Sequence, residues 1–158
     1  MPMKTTFLTV GRPSASWTLQ AAGHYTKFLK KYAQVGMLTV RAASSRAASP
    51  DAEKRIEAKR LLESVSALSG FKVACDPSGR SFTSERFAQL WRKELDRHSG
   101  HAVIIIGGPW GLDRTILDWA DLVWSLGPMT LPHELALVVA MEQIARAFSI
   151  NRGESYHR

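Results

Sequence analysis

The chain has 158 residues, 45% of them apolar and 22% charged, with 21 lysines and arginines against 14 aspartates and glutamates and a formal charge of +7. That balance fits a single domain over residues 1–158 with a sizeable core, and no apolar run approaches the roughly 18 residues that cross a bilayer. Cys75 stands alone, which excludes an internal disulfide, and the five histidines lack ligand spacing, so no metal is expected.

In chain order, "TTFLTVG" reads as a strand closed by Gly11 and not as a secretion signal. "SWTLQAAGHYTKFLKKY" carries Trp17, Ala21, Tyr25, Phe28 and Leu29 at helical spacing. "MLTVRA" is a second short strand, and "ASSRAASPD" is a loop in which Ser49 and Pro50 look like an N-cap and first helical residue. The charged helix that follows puts Ile56, Leu61, Leu62, Val65 and Leu68 on its expected buried stripe. "FKVACD" is a third strand with "PSGRS" as its turn, and "TSERFAQLWRKELDRH" is amphipathic. "AVIIIGG" is apolar on both faces, as a central parallel strand should be. "LDRTILDWA" is a short helix, "DLVWSLG" a fifth strand and "LPHELALVVAMEQIARAFSI" the last helix. Strands alternating with helices predict an α/β domain with a largely parallel sheet.

Such sheets bind ligands beyond the carboxyl ends of their strands. The informative loops are therefore "CDPSGRS", "GGPWGLD" and "LGPMTLPH", each rich in glycine and proline. The second is not a dinucleotide fingerprint, because position 106 is Ile, and no Gly-Lys-Ser/Thr follows to make a P-loop. A hydrolase elbow is absent too. In the last helix Leu137, Met141, Ile144 and Phe148 form a packing stripe, widened by Val138 and Ala145 toward a second surface that suits a partner subunit. Glu142 and Arg146 stand at the spacing of a helical ion pair. The sequence ends on Tyr156, His157 and Arg158. The positive charge favours a polyanionic partner, nucleic acid first.

Taken in order, "LTVG", "CDPSGRSFTSERFA", "IIIGGPWGLD", "WSLGPMTLPHELALVVAMEQIARAFSI" and "YHR" resemble the RlmH family, the pseudouridine N3-methyltransferases of bacterial 23S ribosomal RNA. The resemblance covers essentially the whole chain. It implies a SPOUT methyltransferase fold with a C-terminal trefoil knot, a cytoplasmic homodimer with its active site between subunits, and S-adenosylmethionine as methyl donor. By position it puts cofactor contacts on Cys75, Gly107, Gly108, Leu126, Gly127, Pro128, Met129, Thr130 and Leu131. It puts catalytic roles on Glu142, Arg146, Tyr156, His157 and Arg158. Family members more often carry Leu where Cys75 stands, Ser where Gly127 stands and Tyr where Ala145 stands. A side chain at Gly108 is expected to enter the cofactor's space while sparing the fold. The other readings are a non-catalytic RNA-binding or ribosome-assembly module of the same fold, and a transfer-RNA methyltransferase of the same superfamily.

Overall fold

The computed structural model describes residues 2–44 and 46–157. Five strands, β1 (Lys4–Val10), β2 (Gln34–Val40), β3 (Phe71–Arg80), β4 (His101–Ile106) and β5 (Leu122–Trp124), alternate with five helices, α1 (Ser16–Leu29), α2 (Pro50–Val65), α3 (Ser84–Arg97), α4 (Arg114–Trp119) and α5 (His133–Asn151). A short 3-10 turn, Ser155–His157, follows. The sheet runs β2-β1-β4-β3-β5, with every neighbouring pair parallel. The expected parallel α/β arrangement is therefore the one observed.

Both faces of the sheet are covered, which is why β4 reads as an unbroken apolar run. Phe7, Phe71, Val73, Ile104 and Ile106 meet α1, α3 and α5, together with Trp91, Met141 and Phe148. Leu8, Val10, Val103 and Ile105 meet Leu61 and Val65 of α2 and Ile116 of α4 on the other face. Helix α1 lacks a side-chain cap of its own. Glu134 of α5 supplies one from a distance, accepting from Ser14 N at 2.6 Å and Thr18 Oγ1 at 3.2 Å. Those bonds, the one from Ser14 first, hold its carboxyl below the usual range.

Three local expectations are corrected. Strand β2 begins at Gln34, three residues before Met37, because Gln34 already pairs with Lys4 and donates to Met3 O at 2.8 Å. "PSGRS" does not end β3. Cys75 and Arg80 both pair with Trp124, so the strand bulges out through Asp76 and returns to the same partner. Asp76 tightens the bulge by accepting from Ser78 N at 2.9 Å and Ser78 Oγ at 2.6 Å. Finally, Ile56 of α2 is exposed, and the buried face is Glu57, Ala58, Leu61 and Val65. Leu61 and Val65 are buried as expected, Leu62 and Leu68 pack beside them, and Glu57 joins that face because its carboxylate accepts from Ala43 N at 3.1 Å.

Candidate cofactor cleft and C-terminal cluster

Strands β4, β3 and β5 are neighbours, so the loops at their carboxyl ends come together around one cleft of about 250 Å³. Cys75, Gly107, Gly108, Leu126, Gly127, Met129, Thr130 and Leu131 all line it. Of the expected cofactor residues, only Pro128 is not on its wall. Gly111 and His133 also line it, and so do Asp76, Ile106, Trp110 and Ala136, which no expectation had placed there. Their common signal was proximity to the three loops.

The β4 loop turns back on itself through Gly111 N donating to Gly108 O at 3.0 Å. That fold leaves no room at Gly107, where a Cβ would sit 2.9 Å from the Gly111 carbonyl carbon. Gly127 needs glycine for a different reason, its φ of +134°. Ser125 anchors that turn, its hydroxyl donating to Gly127 O at 3.0 Å and accepting from Gly127 N at 3.2 Å. Beneath it, Trp124 stacks on Phe87 of α3 with ring centroids 4.1 Å apart. The cleft walls are thus bare backbone and apolar side chains at strand ends, with Asp76, Thr130 and His133 as their polar members. Burial, with the Asp76 carboxylate adding to it, pushes the Cys75 thiol up to about 12, so Cys75 is a neutral wall and not a nucleophile.

Gly108 does not behave as expected. A Cβ there would point away from the cleft, 3.2 Å from Glu57 Oε2 and 3.3 Å from Val10 Cγ1. Its bare backbone lines the cleft, but a side chain would press on the core beneath.

The other residues expected to act form a second cluster. Arg146 donates to Glu142 Oε1 through Nε at 3.0 Å and Nη2 at 2.5 Å. Tyr156 OH donates to the same oxygen at 3.3 Å, and its ring lies 5.0 Å from the guanidinium carbon and 4.8 Å from the ring of Phe28. His157 bridges outward, with Nδ1 at 3.3 Å from Arg146 Nη1 and Nε2 at 2.9 Å from Glu85 Oε1. The neutral tautomer protonated on Nε2 satisfies both contacts. Glu85 is held below the usual carboxylate range by its own backbone N–H at the start of α3 and then by His157. Glu142 keeps the Arg146 guanidinium protonated, and burial, followed by the Tyr25 and Glu142 contacts, raises the Tyr156 phenol. Arg158 lies outside the described residues.

The two groups do not meet within one chain. Ala136 lines the cleft, and Glu142 and Arg146 follow it on the same helix by six and ten residues. At 1.5 Å per residue this is on the order of 9 to 15 Å along α5. Among the described residues no three histidine, cysteine or acidic side chains gather as a metal site.

The family model described as "Predicted SPOUT methyltransferase" matches residues 3–157. A protein of Solidesulfovibrio magneticus named ribosomal RNA large subunit methyltransferase H is 39% identical over 95% of this chain and 96% of its own length. Proteins of the same name from Rubrobacter xylanophilus and Bifidobacterium adolescentis are 38% and 37% identical, each over 99% of this chain, and 99% and 100% of theirs. Among solved structures, a probable methyltransferase from Bordetella pertussis Tohama I superposes with a TM-score of 0.55 at 16% identity, over 92% of this chain and 94% of its own. That likeness is one of fold.

Proposed function

The chain belongs to the SPOUT methyltransferase family, and from that premise we propose that it methylates N3 of a pseudouridine in 23S ribosomal RNA with S-adenosylmethionine as donor. The observation that carries the reading is the single cleft into which three separate loops bring their bare backbone and apolar side chains. Relatives that match nearly its whole length are named for large-subunit ribosomal RNA. A planar adenine and an amino acid arm fit such walls, because exposed backbone N–H and C=O groups read polar edges while Ile106, Leu126 and Leu131 cover the faces.

When bound, the donor supplies an electrophilic methyl group on a sulfonium. The chain's task is to hold the acceptor ring in line and to ease loss of its imide proton. A fixed guanidinium does the second by favouring the ionised nitrogen. Arg146 is oriented for this by Glu142, and His157 beside it can take the proton or hold the base. Arg158 adds a further cation for the anion or a phosphate, and Tyr156 anchors the tail.

We further place the working unit as a cytoplasmic homodimer in which the tail of one chain completes the cleft of the other. Two features support this. None of Glu142, Arg146, Tyr156 and His157 lines the cleft. Leu135, Val138 and Val139 of α5 are only half-buried, and Trp17 and Leu19 of α1 are exposed. The trefoil knot belongs to the same proposal.

The test is methylation of purified ribosomes and of total transfer RNA with isotope-labelled donor, followed by mapping. Label at a 23S pseudouridine is expected. Label confined to transfer RNA would transfer the substrate assignment to the other branch of the superfamily. No transfer to either would leave a binding module and overturn the proposal.

A further inference from the structure

Trp110 stands on the lip of the cleft with 55% of its surface exposed, and Met129 shares that lip at 76%. An indole of this size is usually well buried. Its exposure is not that of a loose side chain. The indole Nε1–H donates to Glu53 Oε2 of α2 at 2.9 Å, and the turn that carries Trp110 is closed by the Gly111 to Gly108 bond. The ring is therefore held in place and presented outward.

The segment that holds its partner Glu53 is rich in cations. Residues 41–60 carry Arg41, Arg46, Lys54, Arg55, Lys59 and Arg60 against Asp51, Glu53 and Glu57. Two of those three carboxylates are turned onto donors, Glu53 onto Trp110 and Glu57 onto Ala43, and the third pairs with Lys54 at 3.4 Å. Asp113, in the loop of Trp110, is held below the usual carboxylate range first by the hydroxyl and N–H of Thr115 and then by nearby Lys54 and Arg55. A fixed aromatic face beside exposed cations is the arrangement that holds single-stranded RNA, with a base stacked on the ring and phosphates on the charges.

We propose that Trp110 is a stacking platform for an unpaired base of the RNA substrate at the mouth of the cleft, with Arg55 of α2 meeting the adjoining phosphate. This rests on the reading of the chain as an RNA methyltransferase and adds a residue to RNA binding. The occupant is RNA rather than the donor's adenine because the ring sits on the rim and faces outward beside the cations of α2. Met129 supplies the apolar edge of the same mouth.

The proposal is tested by anisotropy of a fluorescein-labelled single-stranded oligouridine, at fixed salt, without need of turnover. Trp110→Ala should weaken binding about 5-fold or more, since a stacked base typically contributes that much or more. Trp110→Tyr should restore most of it, because a ring returns without the indole N–H. RNA should quench part of the wild-type tryptophan fluorescence, and that part should vanish in Trp110→Phe. Wild-type RNA affinity in a folded Trp110→Ala chain would overturn the platform. So would a loss confined to calorimetric titration with S-adenosylmethionine, which would assign the ring to the donor, or a loss of dimer in light scattering, which would assign it to a subunit contact. Wild-type protein that holds RNA through Trp110 yet transfers no methyl group would refute the enzyme reading and leave the platform standing.

Discussion

Glu57 lies buried beneath the Gly107–Gly108 turn, with one carboxylate oxygen on Ala43 N and the other beside Gly108. Glu57→Ala removes the acceptor and strands that N–H, which should lower stability by about 1–3 kcal/mol. Glu57→Gln keeps an acceptor and should cost less, and thermal unfolding of the two variants checks the order. Gly108→Val drives two methyl groups toward Glu57 and Val10 and should cost a further about 1–3 kcal/mol by overpacking. Its effect should appear as a lower melting temperature. A change that puts bulk directly on the cleft wall is Ala136→Phe. Ala136 lines the cleft from the first turn of α5, where a helix accepts a ring without backbone strain. A folded Ala136→Phe chain should give no heat with S-adenosylmethionine in calorimetry, and wild-type affinity would contradict the assignment of the cleft. The glycines were legible in the sequence because bare backbone after a strand is a strong local signal. Glu57 was not, because a glutamate in a helix dense with charge reads as solvated, and only the fold brings Ala43 to it.

The tail is an ordered element tied to three helices, α1, α3 and α5. Tyr156 packs on Phe28 of α1 and reaches Glu142 of α5, while His157 lies between Arg146 and Glu85. Sequence alone marked these residue types as chemistry. It could not reveal Glu85 as a partner, since 72 residues separate it from His157. Deleting His157 and Arg158 removes an exposed contact and leaves Tyr156 seated, so the melting temperature should move by no more than about 2 °C. Methyl transfer should fall roughly 100-fold, the usual worth of a positioned acid–base group. The neighbouring seam of α1 and α5 carries a pH prediction. Tyr32 is buried, stacks on Phe148 at 5.3 Å and donates to Glu154. Burial first, then Glu154, push its phenol up to about 12. An unfolded tyrosine titrates near 10. From about pH 10 to about 12 the unfolded chain has therefore lost a proton that the folded chain keeps, and stability falls as pH rises. Below about pH 10 this contribution is fully present. Tyr32→Phe should flatten the alkaline decline, measured as the difference in melting temperature between roughly pH 9 and pH 11.

At the scale of the molecule, the parallel sheet was readable from β4, whose apolar residues on both faces require cover on both sides. The strand order was not readable, because nothing local in β3 announces that β4 and β5 will flank it. Nor did "CDPSGRS" reveal that β3 resumes at Arg80, a pairing made only when Trp124 arrives. The same long-range folding sets Glu142 and Arg146, on which the tail rests, on the order of 9 to 15 Å along α5 from Ala136 of the cleft, and this separation sets the sharpest test of the dimer. Light scattering at micromolar concentration should give twice 17.5 kDa. Two inactive chains can then be combined. One lacks His157 and Arg158 but keeps an open cleft, and the other carries Ala136→Phe but keeps its tail. Each homodimer lacks one half of every site. The mixed dimer holds one open cleft facing one intact tail, so methyl transfer should return to up to half of the wild-type rate per dimer. The second site of that dimer has a filled cleft and a missing tail, and it should contribute nothing. If mixed dimers form and stay inactive, the tail serves its own subunit or takes no part in the transfer. In that case the distance along α5 would have to close by a rearrangement within one chain.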